Sequence, residues 1–122
     1  MSDAAAKKLH LMNRLKDIEN QLPPCTEQYK RNMIMLLQEL LSAVGFEEKN
    51  RLLRKYLDTA SGKNEYSLAR DETRNPFHQF LDILTVDNPV AEGLFLEYIE
   101  FNVSSIEKLV AEEVAKYDNS QS

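Results

Sequence analysis

The chain has 122 residues, of which 43% are hydrophobic and 29% are charged, and its net charge at pH 7 is −5. This length leaves room for one hydrophobic core, and the composition is that of a folded domain, which excludes a disordered chain. The negative charge argues against a nucleic acid as the main partner, and the single cysteine, Cys25, excludes an internal disulfide and favours a reducing compartment.

Neither a membrane span nor a secretory signal is indicated by the hydrophobic pattern. No apolar run approaches the roughly 18–20 residues that cross a bilayer. The apolar cluster that follows Lys7 and Lys8 is interrupted within a few residues by Asn13 and Arg14. The sequence therefore predicts a cytoplasmic protein that does not enter a membrane.

A first helix is predicted from Asp3 to Leu22, because four apolar residues recur along it at spacings of four and three. They are Leu11, Leu15, Ile18 and Leu22. Pro23 and Pro24 end this helix, since a proline ring cannot donate a backbone hydrogen bond.

A second helix is predicted to begin at Thr26, which suits the N-cap, with Glu27 in the first turn. Gly45 closes it, because glycine tolerates the left-handed conformation that ends many helices. Apolar residues cover most of its circumference, so it should be the central helix. They are Tyr29, Met33, Ile34, Met35, Leu36, Leu37, Leu40, Leu41 and Val44.

A third helix is predicted from Glu47 to Thr59, with Phe46 folding back onto it as a hydrophobic staple. Its buried face consists of Leu52, Leu53, Tyr56 and Leu57. Its outer face is basic and consists of Lys49, Arg51, Arg54 and Lys55.

The periodicity disappears from Ala60 to Asn75, which predicts a mobile loop at 60–75. Asn75 and Pro76 then form a typical helix opening, an Asn N-cap followed by Pro. The pattern after them predicts a short helix from Pro76 to Val86.

The last predicted helix is long and runs from Asn88 to Tyr117, with a frayed tail at 118–122. Its apolar residues step by three or four throughout: Phe95, Ile99, Val103, Ile106, Val110, Val114 and Tyr117. A capping-box pattern at Ser104 offers an alternative break. The stripe keeps its register through that point, however, so one continuous helix is expected.

Together these elements predict an all-α single domain over residues 1–122. We expect a bundle of four to five helices, mostly antiparallel, with a long C-terminal helix. Charge is divided unevenly along it. Residues 1–75 hold thirteen Lys and Arg against eleven Asp and Glu, a net of +2, while residues 76–122 hold two against nine, a net of −7. Attraction between faces of one bundle explains this division.

Chemically reactive residues are sparse, and no catalytic, cofactor-binding or metal site is predicted. The two histidines, His10 and His78, fall on separate predicted helices. Asp82 lies one helical turn from His78, but two ligands do not make a metal site. A non-enzymatic protein is therefore expected.

Protein–protein contact is the function that this pattern favours, as an adaptor, a regulator or a self-associating homodimer. The predicted interface is the narrow end of the last apolar stripe, which four short helices should not reach: Ile106, Val110, Val114 and Tyr117. The alternative is a nucleic-acid-associated regulator that uses the basic patch Lys49, Arg51, Arg54 and Lys55.

Overall fold

The computed structural model describes residues 3–61 and 89–121. Within these ranges the chain forms four α-helices and no strand, which confirms the all-α class. The helices are α1 (Asp3–Gln21), α2 (Gln28–Ser42), α3 (Phe46–Ser61) and α4 (Pro89–Gln121). The predicted helix at 76–86 and most of the predicted loop lie outside the described residues.

Both ends of α2 differ from the prediction. Glu27 is the N-cap residue, although its side chain makes no capping hydrogen bond. Thr26 is instead buried, and its hydroxyl oxygen has no hydrogen-bond partner among the described residues. Thr26 is therefore a buried residue of the turn and does not cap the helix.

At the other end, α2 stops at Ser42 because Ala43 takes an extended backbone conformation, with φ −69° and ψ 143°. Gly45 has the left-handed conformation that was expected, with φ +85°, but it precedes α3 rather than closing α2. Val44 is consequently outside the helical register and is 89% exposed. Its predicted place on the apolar face of α2 is wrong.

α3 is longer than predicted, since it begins at Phe46 and continues to Ser61. Ala60 and Ser61 are therefore helical rather than part of the loop. All four residues predicted for its buried face, Leu52, Leu53, Tyr56 and Leu57, are at most 6% exposed.

α4 is continuous through Ser104 and extends to Gln121, so the tail expected to fray is helical over 118–121. At a rise of about 1.5 Å per residue, a helix of this length spans roughly 50 Å. Its buried residues join those of the other three helices in one hydrophobic cluster. The cluster includes Leu11, Leu15, Met33, Leu37, Leu53, Phe95, Ile99 and Val110.

The ion pairs between α1 and α4 ascend both helices together, from Lys8–Glu92 to Arg14–Glu107. The contacts between α3 and α4 advance in the same way, from Lys49–Phe95 to Tyr56–Asn102. α4 therefore runs in the same direction as α1 and α3. The predicted, mostly antiparallel arrangement is not confirmed, because the predicted helix at 76–86, which would lie between α3 and α4, is outside the described residues.

Candidate functional site

The turn between α2 and α3 forms one wall of an open groove of about 410 Å³. Its lining consists of Glu39, Ser42, Ala43, Val44, Glu48, Arg51 and Leu52. Leu52 is almost fully buried and belongs to the core, whereas Val44 projects into solvent. The groove thus has an apolar base, an apolar rim and charged flanks.

The short connection between the helices fixes the position of Val44. Gly45 has a positive backbone φ angle, which residues with a β-carbon rarely adopt. The chain turns into α3 at this glycine. The backbone N–H of Lys49 donates to the carbonyl oxygen of Gly45, at 3.3 Å, and so ties the turn to the first turn of α3. An exposed valine is therefore held on well-defined backbone.

Met35 extends the apolar character of this surface along α2. Met35, Glu39 and Ser42 follow each other at spacings of four and three, so they lie on one side of the helix. The side chain of Met35 is 46% exposed, contrary to its predicted place in the core. Glu39 therefore lies one helical turn from Met35, and it lines the groove together with Val44.

The charges of the groove are only partly compensated. Arg51 donates two hydrogen bonds to the carboxylate of Glu48, from Nη2 at 2.6 Å and from Nε at 3.2 Å. These bonds raise the pKa of Arg51, to which the charge of Glu39 adds a smaller effect, and they lower the pKa of Glu48. Glu39 itself makes no hydrogen bond or ion pair with residues 3–61 or 89–121.

The predicted basic patch is not a set of four free charges. Arg51 is paired with Glu48, and the ammonium group of Lys49 lies over the ring of Phe95 in α4, 5.1 Å from its centre. Arg54 donates to the side-chain oxygen of Asn50, at 3.3 Å, and Lys55 is exposed. Three of the four cations thus contact groups of this chain, Arg51 a carboxylate, Lys49 an aromatic ring and Arg54 a neutral amide.

The predicted interface on the last helix faces the core of the same chain. Ile106 and Val110 are 2% and 3% exposed, and Val114 packs against the core cluster. Tyr117 is partly buried. An interface was expected here because the rest of the chain should not cover this part of the stripe. Ile106 and Val110 are nevertheless covered by the same chain.

The glutamates of α4 are mostly paired inside the molecule. Arg14 donates to both carboxylate oxygens of Glu107, at 2.5 and 3.1 Å, and to the hydroxyl of Ser104 at 3.1 Å. The other ion pairs that bind α4 to α1 and α2 are Lys7–Glu100, Lys8–Glu92, Arg14–Glu100 and Lys30–Glu113. The acidic character of α4 thus serves its packing, as the sequence indicated.

A buried polar cluster joins α3 to α4. The hydroxyl of Tyr56 donates to the side-chain oxygen of Asn102 at 3.1 Å, and the Asn102 amide donates to the carbonyl oxygen of Tyr98 at 2.8 Å. Tyr56 and Asn102 are fully buried, and burial raises the pKa of Tyr56 well above its ordinary value. A neutral, enclosed phenol of this kind holds the two helices in register and offers no open site.

Potential catalytic groups are not brought together in the described ranges. His10 and Cys25 are both exposed, and His78 lies outside the description together with Asp82. Across residues 3–61 and 89–121, no three His, Cys, Asp or Glu side chains are grouped so that they could hold a metal ion. Over the same ranges, no helix has both the length and the hydropathy needed to cross a bilayer.

Comparison with protein families, curated proteins and solved structures finds no match for this chain. The function of the groove at the α2–α3 turn is therefore inferred from the chemistry of the residues that line it. Sequence reasoning missed it because Val44 fits the apolar spacing of α2. The signal that pointed to it was the adjacent Gly45, which marks a place where the helical register can end.

Proposed function

We propose that this protein is a non-enzymatic protein-binding module and that the groove at the α2–α3 turn is its contact surface. The observation that carries the proposal is Val44, a β-branched apolar side chain that is 89% exposed at the rim of a groove. Met35 supplies a second exposed apolar contact on the same side of α2.

Two physical arguments support this surface as a contact site. Apolar side chains that leave water on association supply much of the favourable free energy of binding. A surface that is already held in place also loses little conformational entropy when a partner docks. Here the backbone on both sides of Val44 is hydrogen-bonded to a helix end, from the N–H of Ala43 to the carbonyl oxygen of Leu40 and from the N–H of Lys49 to that of Gly45.

The partner class is a protein surface, either another protein or a second copy of this chain. The homodimer expected from the sequence remains a proposal, now with its contact at Val44 instead of at Ile106, Val110, Val114 and Tyr117. A nucleic-acid role would depend chiefly on Arg54 and Lys55, because Lys49 and Arg51 are engaged. It stays a prediction from the sequence.

The test replaces Val44 with Asp and uses Val90→Asp as the matched control. Val90 is a comparably exposed valine, at 74%, in the first turn of α4 and outside the groove lining. Because neither side chain is buried, both variants should keep the free energy of unfolding within about 0.5 kcal/mol of the original. Only Val44→Asp should weaken binding.

Binding is measured in two ways on the full chain. A photo-crosslinking amino acid at position 44 or 90 identifies the neighbouring protein, whose affinity for purified wild type and both variants is then measured. Light scattering follows self-association. A wild-type monomer that gives no more cross-linking at 44 than at 90 would contradict the proposal, as would equal weakening by both substitutions.

A further inference from the structure

The position of Glu39 bears on what kind of partner the groove accepts. Glu39 lies in the last turn of α2, and that turn contains no basic residue. The C-terminal end of a helix carries the negative end of its dipole, so a carboxylate there is unfavourable for the helix. The charge of Glu39 therefore does not stabilise α2.

The neighbouring charges leave the groove negative. Glu48 is hydrogen-bonded by Arg51, which neutralises one carboxylate, while Glu39 has no hydrogen-bond or ion-pair partner in residues 3–61 and 89–121 and interacts only weakly with the charge of Arg51. The carbonyl groups at the end of α2 add their partial negative charge. A cation that entered the groove beside Glu39 would meet this potential.

We propose that the groove binds a protein segment that presents a basic side chain, Arg or Lys, next to an apolar one. This inference rests on the proposed function, because it names the partner chemistry of the same groove. The apolar side chain packs on Val44 and Met35, and the cation pairs with Glu39. Charge complementarity of this kind selects partners and orients them as they approach.

The probes are three capped dipeptides that differ only in the second side chain: N-acetyl-Leu-Arg-amide, N-acetyl-Leu-citrulline-amide and N-acetyl-Leu-Glu-amide. Citrulline keeps the shape of arginine but has no charge. Each is titrated into the full-length protein while NMR follows the methyl groups of Val44 and the amide of Gly45. The arginine peptide should bind about five-fold more tightly than the citrulline peptide. The glutamate peptide should bind more weakly than both.

Glu39→Gln is the decisive variant, and Glu47→Gln is its control, since Glu47 is an exposed glutamate of the same region outside the groove lining. Glu39→Gln should remove the advantage of the arginine peptide and leave the thermal midpoint unchanged or higher. Glu47→Gln should keep the advantage.

The outcomes separate this inference from the proposed function. If the arginine and citrulline peptides bind at Val44 equally well, the cation preference is wrong and the apolar contact surface stands. If Glu39→Gln leaves the preference intact, Glu39 is not its origin and the inference is overturned. If no peptide perturbs Val44 or Gly45, the inference fails together with the groove as the contact surface.

Discussion

At the scale of single residues, burial separates side chains that look alike in the sequence. Val44 and Val110 both fit an apolar helical spacing, yet Val44 is 89% exposed and Val110 is 3% exposed. The difference arises because α2 ends before Val44, whereas α4 continues past Val110. Periodicity predicts the face that a residue would occupy, but only if the helix extends that far.

The buried pair formed by Tyr56 and Asn102 leads to a prediction about stability. Tyr56→Phe removes the donor to the Asn102 oxygen and leaves that oxygen enclosed without a partner. The expected loss is about 1–2 kcal/mol of unfolding free energy, measured by urea denaturation. Tyr117→Phe, at a partly buried position near the end of α4, is the control and should change stability by less than about 0.5 kcal/mol. Equal effects would show that the buried hydrogen bond contributes nothing.

At the scale of helices, some boundaries were predictable and the packing partners were not. The predicted start of α1 at Asp3 agrees with the structure, and the predicted end of α1 and start of α4 each differ from it by one residue. Capping residues, prolines and periodicity act locally, so the sequence contains them directly. The groove between α2 and α3 depends on where two helix surfaces meet, and the apolar pattern of either helix alone does not specify it.

The contact between α1 and α4 offers a second prediction. Arg14 binds Glu107 through two nitrogens and also reaches Ser104, and its side chain is only 23% exposed. Arg14→Met should therefore lower the free energy of unfolding by roughly 1–2 kcal/mol, because a partly shielded, two-bond pair exceeds an ordinary surface pair.

Arg54→Met is the matched control for this change. Arg54 is exposed and bonds only to Asn50, on its own helix, so the loss should stay below about 0.5 kcal/mol. Denaturation of both variants under identical conditions measures the difference. A loss in Arg14→Met no greater than in Arg54→Met would mean that the Arg14 network does not hold α1 to α4.

At the scale of the whole molecule, the division of charge along the chain acts mainly within the described fold. Four glutamates of α4 meet basic side chains of α1 or α2: Glu92, Glu100, Glu107 and Glu113. The sequence predicted that the acidic last helix would be attracted to basic side chains of the same bundle. In the described residues, α1 and α2 supply the basic side chains that pair with these four glutamates.

The pair formed by Lys8 and Glu92 contributes to how stability should depend on pH. The hydrogen bond with Lys8 lowers the pKa of Glu92 below its ordinary value of 4.5, with a smaller effect from Lys49. A carboxylate whose pKa is lower in the folded state stabilises the fold above its ordinary pKa and loses that contribution as the pH falls. Stability should therefore decrease below about pH 4.5, and Lys8→Met should reduce this pH dependence.

Thermal midpoints at pH 7 and pH 3 provide the measurement. The difference between the two should be smaller in Lys8→Met than in the wild type. Lys16→Met is the control, since Lys16 is an exposed residue of α1 that forms no ion pair with the described part of the chain. If both substitutions change the pH dependence equally, the Lys8–Glu92 pair is not its source.

The sequence by itself determined that the described part of the protein is helical, both ends of α1 and the start of α4 to within one residue, and most of the apolar residues that form the core. Those properties follow from local backbone preferences and from the period of the helix. Only the tertiary structure decided that α4 packs chiefly along α1, in the same direction. The start of α2 also lies beside the later part of α4, where Lys30 pairs with Glu113. Which helices pack together depends on which side chains meet across the whole bundle, and a pattern read along one helix does not contain that information.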